Sequence, residues 1–232
     1  MTTMPRDHGE CRYERKFVIA HLTRHEVESF VRFHPAMFSE IYRQRYVNNI
    51  YFDTNQMSNY HDNIDGKRRR IKIRIRWYDA LFGIVKNPVL EFKIKYGFLG
   101  RKESFPLPPF ELNDSFNART VAEVIERSDL PEIRKLQWRS SCATLVNSYK
   151  RRYFESADRN YRITMDTDQT FYAVNHHHNL FLHRLTDDQQ VILELKYHRD
   201  MDGQAEKIAA HFPFRLSRSS KYVTGLQKLY PW

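Results

Sequence analysis

The sequence predicts an α+β fold in which an antiparallel sheet closes into a β-barrel, with a basic lumen and helices packed outside. Three observations carry that expectation. Strand candidates are not regularly interleaved with crossover helices, which argues against a parallel sheet. In the stretch RRRIKIRIRW, Arg70, Lys72, Arg74 and Arg76 alternate with Ile71, Ile73 and Ile75. Alternate strand residues face opposite sides and same-face neighbours stand about 6.6 Å apart, so one face is cationic and the other isoleucine. The same division recurs on other strands, as expected of a closed barrel with a charged interior and an apolar exterior.

The elements follow in order. Residues 1–10 read as a loose start to one domain covering 1–232. A strand runs from Tyr13 to Ala20, with Glu14 and Lys16 on one face. Thr23, with Glu26 three residues on, forms a capping box before Val27 and Phe30 and starts a helix. Tyr46 to Phe52 alternates as a strand. Arg70 to Tyr78 and Val89 to Tyr96 are strands separated by a turn around Phe82 to Pro88, and the second places Glu91, Lys93 and Lys95 on one face. A second helix begins near Thr120, and a third runs from Pro131 to about Val146. Strands follow at Tyr149 to Phe154, carrying Arg151, and at Tyr161 to Asp166, where Arg162 and Thr164 alternate with Ile163 and Met165. Leu180 to Leu185 and Val191 to Tyr197 are further strands; the latter puts Glu194 and Lys196 on one face. Gln204 to His211 and Lys221 to Leu229 read as helices. Internal repeats, low-complexity runs and linkers are absent from the sequence.

The chain of 232 residues is long enough to bury a core without staples. It has no apolar run of the roughly 18 residues a membrane span needs, and its first residues lack a signal-peptide apolar region. Cys11 and Cys142 show neither metal spacing nor a disulfide framework, so a reducing, cytoplasmic location is the default reading. Lys and Arg number 38 against 28 Asp and Glu, a formal charge of +10. That surplus predicts an anionic partner: nucleic acid, an anionic membrane or a small polyphosphate.

The placement of the charges separates these partners. Nucleic-acid grooves combine basic residues with aromatics on an open face, whereas here cations alternate with isoleucines, so no nucleic acid is expected. In an ordinary half-buried sheet a charged face is simply solvated. Four like charges on one face repel each other, however, and a bound polyanion would offset that cost; recurrence of the pattern favours the polyanion. A polyphosphate normally arrives with a divalent metal, and magnesium is usually held by one or two carboxylates plus the substrate's phosphates. Glu194, and after it Glu91, could supply the carboxylate; the plain alternative is an intrastrand Glu–Lys pair, worth little.

Other features carry blander readings. His176, His177 and His178 lack ligand partners at metal spacing and read as a solvated loop. Trp77 and Tyr78 could stack on a base, with core or rim packing as the alternative. Arg134, Lys135 and Arg139 read as a solvated helix face or a docking patch.

Eight blocks resemble the VTC domain, the polyphosphate polymerase domain of the vacuolar transporter chaperone and a branch of the triphosphate tunnel metalloenzymes (CYTH-like superfamily). They are RYERKF (Arg12 to Phe17), NNIYFD (Asn48 to Asp53), RIRWY (Arg74 to Tyr78), LEFKIK (Leu90 to Lys95), YKRRYF (Tyr149 to Phe154), YRITMDT (Tyr161 to Thr167), LELKY (Leu193 to Tyr197) and SRSSKYVTG (Ser217 to Gly225). They come in the family's order and span about residues 11 to 229. The resemblance implies a tunnel of antiparallel strands whose basic lumen binds a nucleotide triphosphate and a growing polyphosphate, with manganese or magnesium. The family's first-strand lysine matches Lys16, its paired arginines Arg74 and Arg76, and the lysine of its ExK strand Lys93. Its YxR motif matches Tyr149 and Arg151, a further strand arginine Arg162, and its metal-binding glutamate Glu194. Its last basic pair matches Arg218 and Lys221 with Ser220 between them; Arg218 stands where lysine is more usual. Lys72, Lys95 and Lys196 join these as phosphate-binding candidates on the basic faces.

Two departures qualify the resemblance. The wider superfamily opens with ExExK, whereas this chain has Arg12 in the first Glu position. One metal ligand is thereby lost, which makes a simple triphosphatase or a CyaB-type cyclase less expected. The chain also lacks the SPX and membrane-spanning parts of the eukaryotic complex, so regulation by inositol phosphates and translocation are not expected to carry over. The leading expectation is a phosphotransferase that moves the γ-phosphoryl of ATP onto polyphosphate. A triphosphatase, or a module that holds polyphosphate or nucleotide and docks onto a membrane partner, stands beside it. No P-loop occurs, which fits phosphate binding by side chains.

Overall fold

The computed structural model describes residues 12–96, 99–175 and 179–230. The expected loose start, Cys11 and the run His176 to His178 lie outside the described residues. The strands are β1 (Arg12–Ile19), β2 (Ser39–Asp53), β3 (Arg69–Tyr78), β4 (Gly83–Val85), β5 (Val89–Tyr96), β6 (Leu99–Pro106), β7 (Phe110–Leu112), β8 (Cys142–Glu155), β9 (Tyr161–Ala173), β10 (Arg184–Asp187) and β11 (Val191–His198). The helices are α1 (Arg24–Arg32), α2 (Ser58–Ile64), α3 (Ala118–Glu126), α4 (Glu132–Arg139), α5 (Asp202–Ala210) and α6 (Lys221–Leu229).

One antiparallel sheet dominates, in the order β1-β11-β9-β8-β2-β3-β5-β6, with β10 alongside β9; β4 and β7 make a small second sheet. The expected closed barrel is corrected here, because β1 and β6 end the order and do not pair with each other among the described residues. β6 has the character of an edge: Arg101 and Lys102 sit mid-strand and Pro106, which has no N–H to donate, ends it. The sheet nevertheless curls far enough for Lys93 on β5 to reach Glu14 on β1, with Nζ 3.3 Å from Oε1. It forms a trough whose first strand meets its next-to-last, β5, through side chains.

The alternation of β3 sorts its residues as the sequence demands. Ile73 and Ile75 are buried on the convex side with Phe92 and Leu90, beneath Val121, Val124 and Ile125 of α3 and Trp138 of α4. Each such side chain contributes about 2 kcal/mol by leaving water. On the other flank Phe17, Ile163 and Leu193 pack under Val27 and Val31 of α1 and Ala205 and Ala209 of α5. A third cluster lies on the concave side. Tyr51, which pairs in register with Arg74, packs with Leu145, Phe171 and the Tyr222, Leu226 and Leu229 of α6. Gly225 permits this close approach: a Cβ there would stand 2.5 Å from Phe171 Cδ1 and 2.7 Å from Leu145 Cδ2. Asp53 anchors the plug, accepting from the Asn59 and Tyr60 backbone N–H at the start of α2 and from the Tyr222 hydroxyl at 2.5 Å.

Several element boundaries move. The third helix stops at Arg139, because Cys142 to Val146 pairs along β2 as the start of β8. The second helix is capped by Asn117, with Thr120 returning the capping-box bond from the third helical position. The strand expected at Leu180 to Leu185 is Arg184–Asp187, and the turn after β3 contains β4.

Candidate anion-binding site

The concave wall collects cations from five strands and one helix and interlocks them with four carboxylates. On β3 and β5, Arg74 Nε and Nη2 lie 2.8 and 2.7 Å from Glu91 Oε2, and Arg76 Nη2 lies 2.8 Å from Oε1. Burial favours a neutral Glu91, but Arg74 and Arg76 outweigh it and hold the carboxyl at about 2. On β1 and β11, Lys16 Nζ bridges Glu14 at 3.4 Å and Glu194 at 3.1 Å, while Lys196 Nζ lies 3.1 Å from the other Glu194 oxygen. Burial is again outweighed: Lys16, Lys196, Lys221 and Arg151 hold Glu194 well below the usual carboxylate range. Lys16 and Lys93 do the same for Glu14, at about 2.

The third group joins β8, β9 and α6. Arg151 grips Asp166 with Nε–Oδ1 at 2.5 Å and Nη2–Oδ2 at 2.7 Å, and Lys221 Nζ meets the same carboxylate at 2.5 Å. Asp166 is fully buried. Lys221 and Arg151 both lie over the Tyr149 ring, at 4.6 and 5.2 Å from its centroid. The loop into α6 completes the wall. Ser220 caps that helix, receives the Val223 N–H at 3.5 Å and takes a 2.7 Å hydrogen bond from Lys72 Nζ. Lys16 donates to the Ser219 carbonyl at 3.4 Å.

The wall is short of negative charge. Lys72 has no ion pair among the described residues; burial, then Lys16 and Lys93, push it down to about 7. Burial also lowers Lys95 and Lys196. The attraction of an arriving polyanion would offset both the burial and the repulsion.

Most of the residues singled out by the sequence meet on this wall: Lys16, Lys72, Arg74, Arg76, Glu91, Lys93, Tyr149, Arg151, Glu194, Lys196, Ser220 and Lys221. Lys95 shares their face without an ion pair among the described residues. Arg162 stands at the margin, half exposed and 2.9 Å from Glu155. Arg218 is exposed on the loop before α6. Trp77 points to the convex core and donates to the Ala80 carbonyl at 3.0 Å, whereas Tyr78 lies on the concave face. Arg134 forms a two-pronged pair with Glu103 at 2.7 and 2.8 Å, over the Phe92 ring. Asp166, the hub of the third group, was missed although it continues the face of Arg162 and Thr164. Arg45, opposite Arg151, gave no alternation signal, because β2 is irregular between Tyr42 and Arg45.

A divalent metal finds few donors here. Among the described residues no group of three or more His, Cys, Asp and Glu converges as a metal site. Glu91 has both oxygens on arginines. Glu194 also has both oxygens on cations, Lys16 and Lys196, but it has a further oxygen donor beside it. Its register partner Thr164 has a buried hydroxyl with no hydrogen-bond partner among the described residues. That set fits an ion held mainly by phosphate oxygens, with one carboxylate from the protein.

Comparison with known proteins agrees with this architecture. The family model for the VTC domain matches residues 11–230. No curated protein matches the chain. Among solved structures, a candidate adenylate cyclase from Bacillus halodurans is 12% identical with a TM-score of 0.53, covering 96% of this chain and 98% of its own. A Pyrococcus horikoshii protein is also 12% identical, with a TM-score of 0.52 and coverage of 94% and 99%. A Hippeastrum adenylyl cyclase candidate, described as having a dominant triphosphatase activity, is 13% identical with a TM-score of 0.51 and coverage of 94% and 96%. At these identities the likeness establishes a shared fold. No helix among the described residues is long and apolar enough to cross a membrane.

Proposed function

We propose, from the premise that this chain belongs to the VTC domain family, that it transfers the γ-phosphoryl group of ATP to a phosphate or polyphosphate acceptor lying along the concave wall. The observation that carries the proposal is the convergence of Lys16, Lys72, Arg74, Arg76, Lys93, Arg151, Lys196 and Lys221 on one face, in excess over Glu14, Glu91, Asp166 and Glu194.

Phosphoryl transfer needs positioning and neutralisation of spreading charge more than covalent help. Arg74, Arg76 and Arg151 are oriented by Glu91 and Asp166, so their free N–H groups face the trough ready for phosphate oxygens. Lys16, Lys72, Lys93 and Lys196 act as point charges along the chain, and Lys221 and Ser220 add donors at the α6 terminus. Lys95, Arg162 and Arg218 would receive phosphates nearer the margins. Glu194 would hold Mn²⁺ or Mg²⁺ together with phosphate oxygens, and the ion would neutralise charge on the transferred group. A bound chain would draw the cations of β1 and β5 together and complete the tunnel that the sheet leaves open.

The test is incubation of the pure protein with ATP and Mn²⁺ or Mg²⁺, with separate assays for polyphosphate, ADP and free phosphate. Polyphosphate with ADP is expected. Free phosphate without polymer would make water the acceptor, the triphosphatase outcome described for the Hippeastrum protein. No ADP with any divalent ion would leave a non-catalytic polyphosphate holder, a reading favoured by the pairing of every inner carboxylate with cations. In the enzyme, Glu194→Gln is expected to abolish metal-dependent ADP release while metal-free binding of tripolyphosphate stays equal or tightens.

A further inference from the structure

One end of the trough carries an aromatic cluster that phosphate binding does not need. The Arg45 guanidinium lies over three tyrosine rings, 5.2 Å from the centroid of Tyr42, 5.0 Å from Tyr78 and 5.1 Å from Tyr153. Tyr42 and Tyr153 meet edge to face, with centroids 5.6 Å apart at 88°. The register puts the cluster on the concave side: Arg45 stands opposite Arg151, and Tyr42 opposite Tyr153. Tyr78 follows Arg76 by two residues on β3, and Tyr153 follows Arg151 by two on β8, one same-face step of about 7 Å beyond each phosphate-facing arginine. The arginines themselves touch the cluster, with Arg76 5.6 Å from the Tyr78 centroid and Arg151 5.9 Å from that of Tyr153. Tyr42 is 39% exposed, a large ring facing solvent at the trough's end.

We propose that Arg45 and Tyr42 form a stacking platform for the base of a nucleoside triphosphate whose phosphates lie along the adjoining arginines. Planar guanidinium and phenol faces both stack on a base without reading its identity, and stacking is sequence-tolerant because every base has a π face. An inorganic polyphosphate chain has no group that gains from such a surface. The platform therefore distinguishes the nucleotide donor from the phosphate acceptor and sets which end of the trough the donor enters. Purine and pyrimidine triphosphates are both accepted, with purines favoured by their larger faces.

This inference rests on the phosphate-handling reading above, and the experiment separates the two. Calorimetric binding of ATP and of tripolyphosphate is measured without metal for wild type, Tyr42→Leu and Tyr42→Phe. Wild type is expected to bind both. Tyr42→Leu is expected to weaken ATP about 5- to 30-fold while changing tripolyphosphate less than about 2-fold, and Tyr42→Phe is expected to restore ATP binding, because stacking needs the ring and not its hydroxyl. Equal losses for the two ligands, or no loss for ATP, would overturn the platform and leave the phosphate site standing. If wild type binds neither ligand, both readings fall. The half-exposed position of Tyr42 keeps folding out of the comparison, and a melting curve for each variant checks it.

Discussion

On the inner wall Arg74, Arg76 and Arg151 are each fixed to a buried carboxylate, whereas Arg70, Lys72 and Lys95 have none within ion-pair distance among the described residues. The two sets share one face of one sheet, yet they do different things. A guanidinium gripped from one side by Glu91 or Asp166 has its orientation settled during folding, and its remaining N–H groups are presented without further loss of freedom. Burial and neighbouring cations push Lys72 and Lys95 toward their neutral forms, so they gain most when an anion arrives. Stability is concentrated in the first set and anion hunger in the second.

That contrast is open to attack at four places. Asp166→Asn removes the charge shared by Arg151 and Lys221 and leaves two buried cations facing each other. It should cost about 3–5 kcal/mol in denaturant unfolding; a loss under about 1 kcal/mol would mean that the arginine set is not structural. Lys72→Met should do the reverse. Tripolyphosphate binding should weaken by about 1.5–3 kcal/mol, while unfolding stability stays level or rises because a repelled charge is gone. Gly225→Ala drives a methyl into Phe171 and Leu145, for an expected loss of about 1–3 kcal/mol. It tilts the α6 terminus that carries Ser220 and Lys221, so anion binding should fall with stability instead of separately from it.

The fourth probe uses protons. Lys72 is pushed down to about 7 in the free protein, and a neighbouring phosphate raises it toward the ordinary lysine value. Binding therefore takes up a proton at any pH between those two values, and affinity falls as pH rises through that window. Below about 7 the free protein is already protonated and this contribution levels off. Calorimetry at pH 8 in buffers of different ionisation heat should read about one proton taken up by wild type and clearly fewer by Lys72→Arg. Equal uptake by the two proteins would assign the titration to another group.

Much of this was legible in the chain. The alternation in Arg70 to Arg76 announced a two-faced strand because period-two patterning needs no tertiary information, and the Thr23–Glu26 capping box fixed α1 locally. What stayed hidden depends on contacts between one element and another. α2 has no side-chain cap of its own and is held by Asp53 at the end of the preceding strand. Cys142 to Val146 is an apolar run that suits helix or strand, and only pairing with β2 decides it. β6, with its glycine and flanking charges, is a strand because β5 supplies a hydrogen-bonded neighbour. Closure failed as an expectation for a related reason: alternation tells which face is charged, not whether the last strand meets the first. The Arg45 cluster was invisible because the β2 irregularity hides which residues share a face.

The most direct test compares, at about pH 6 where Lys72 is protonated, two double substitutions that remove the same charge. Lys72→Met with Lys95→Met strips unpaired cations from the inner wall; Lys86→Met with Arg119→Met strips exposed cations from outside it. Tripolyphosphate binding is measured for both by calorimetry at one ionic strength without metal. Binding is expected to be at least about 30-fold weaker for the inner pair and less than about 2-fold weaker for the outer pair. Equal losses would show that the anion responds to overall charge, and the concave wall would no longer be its site.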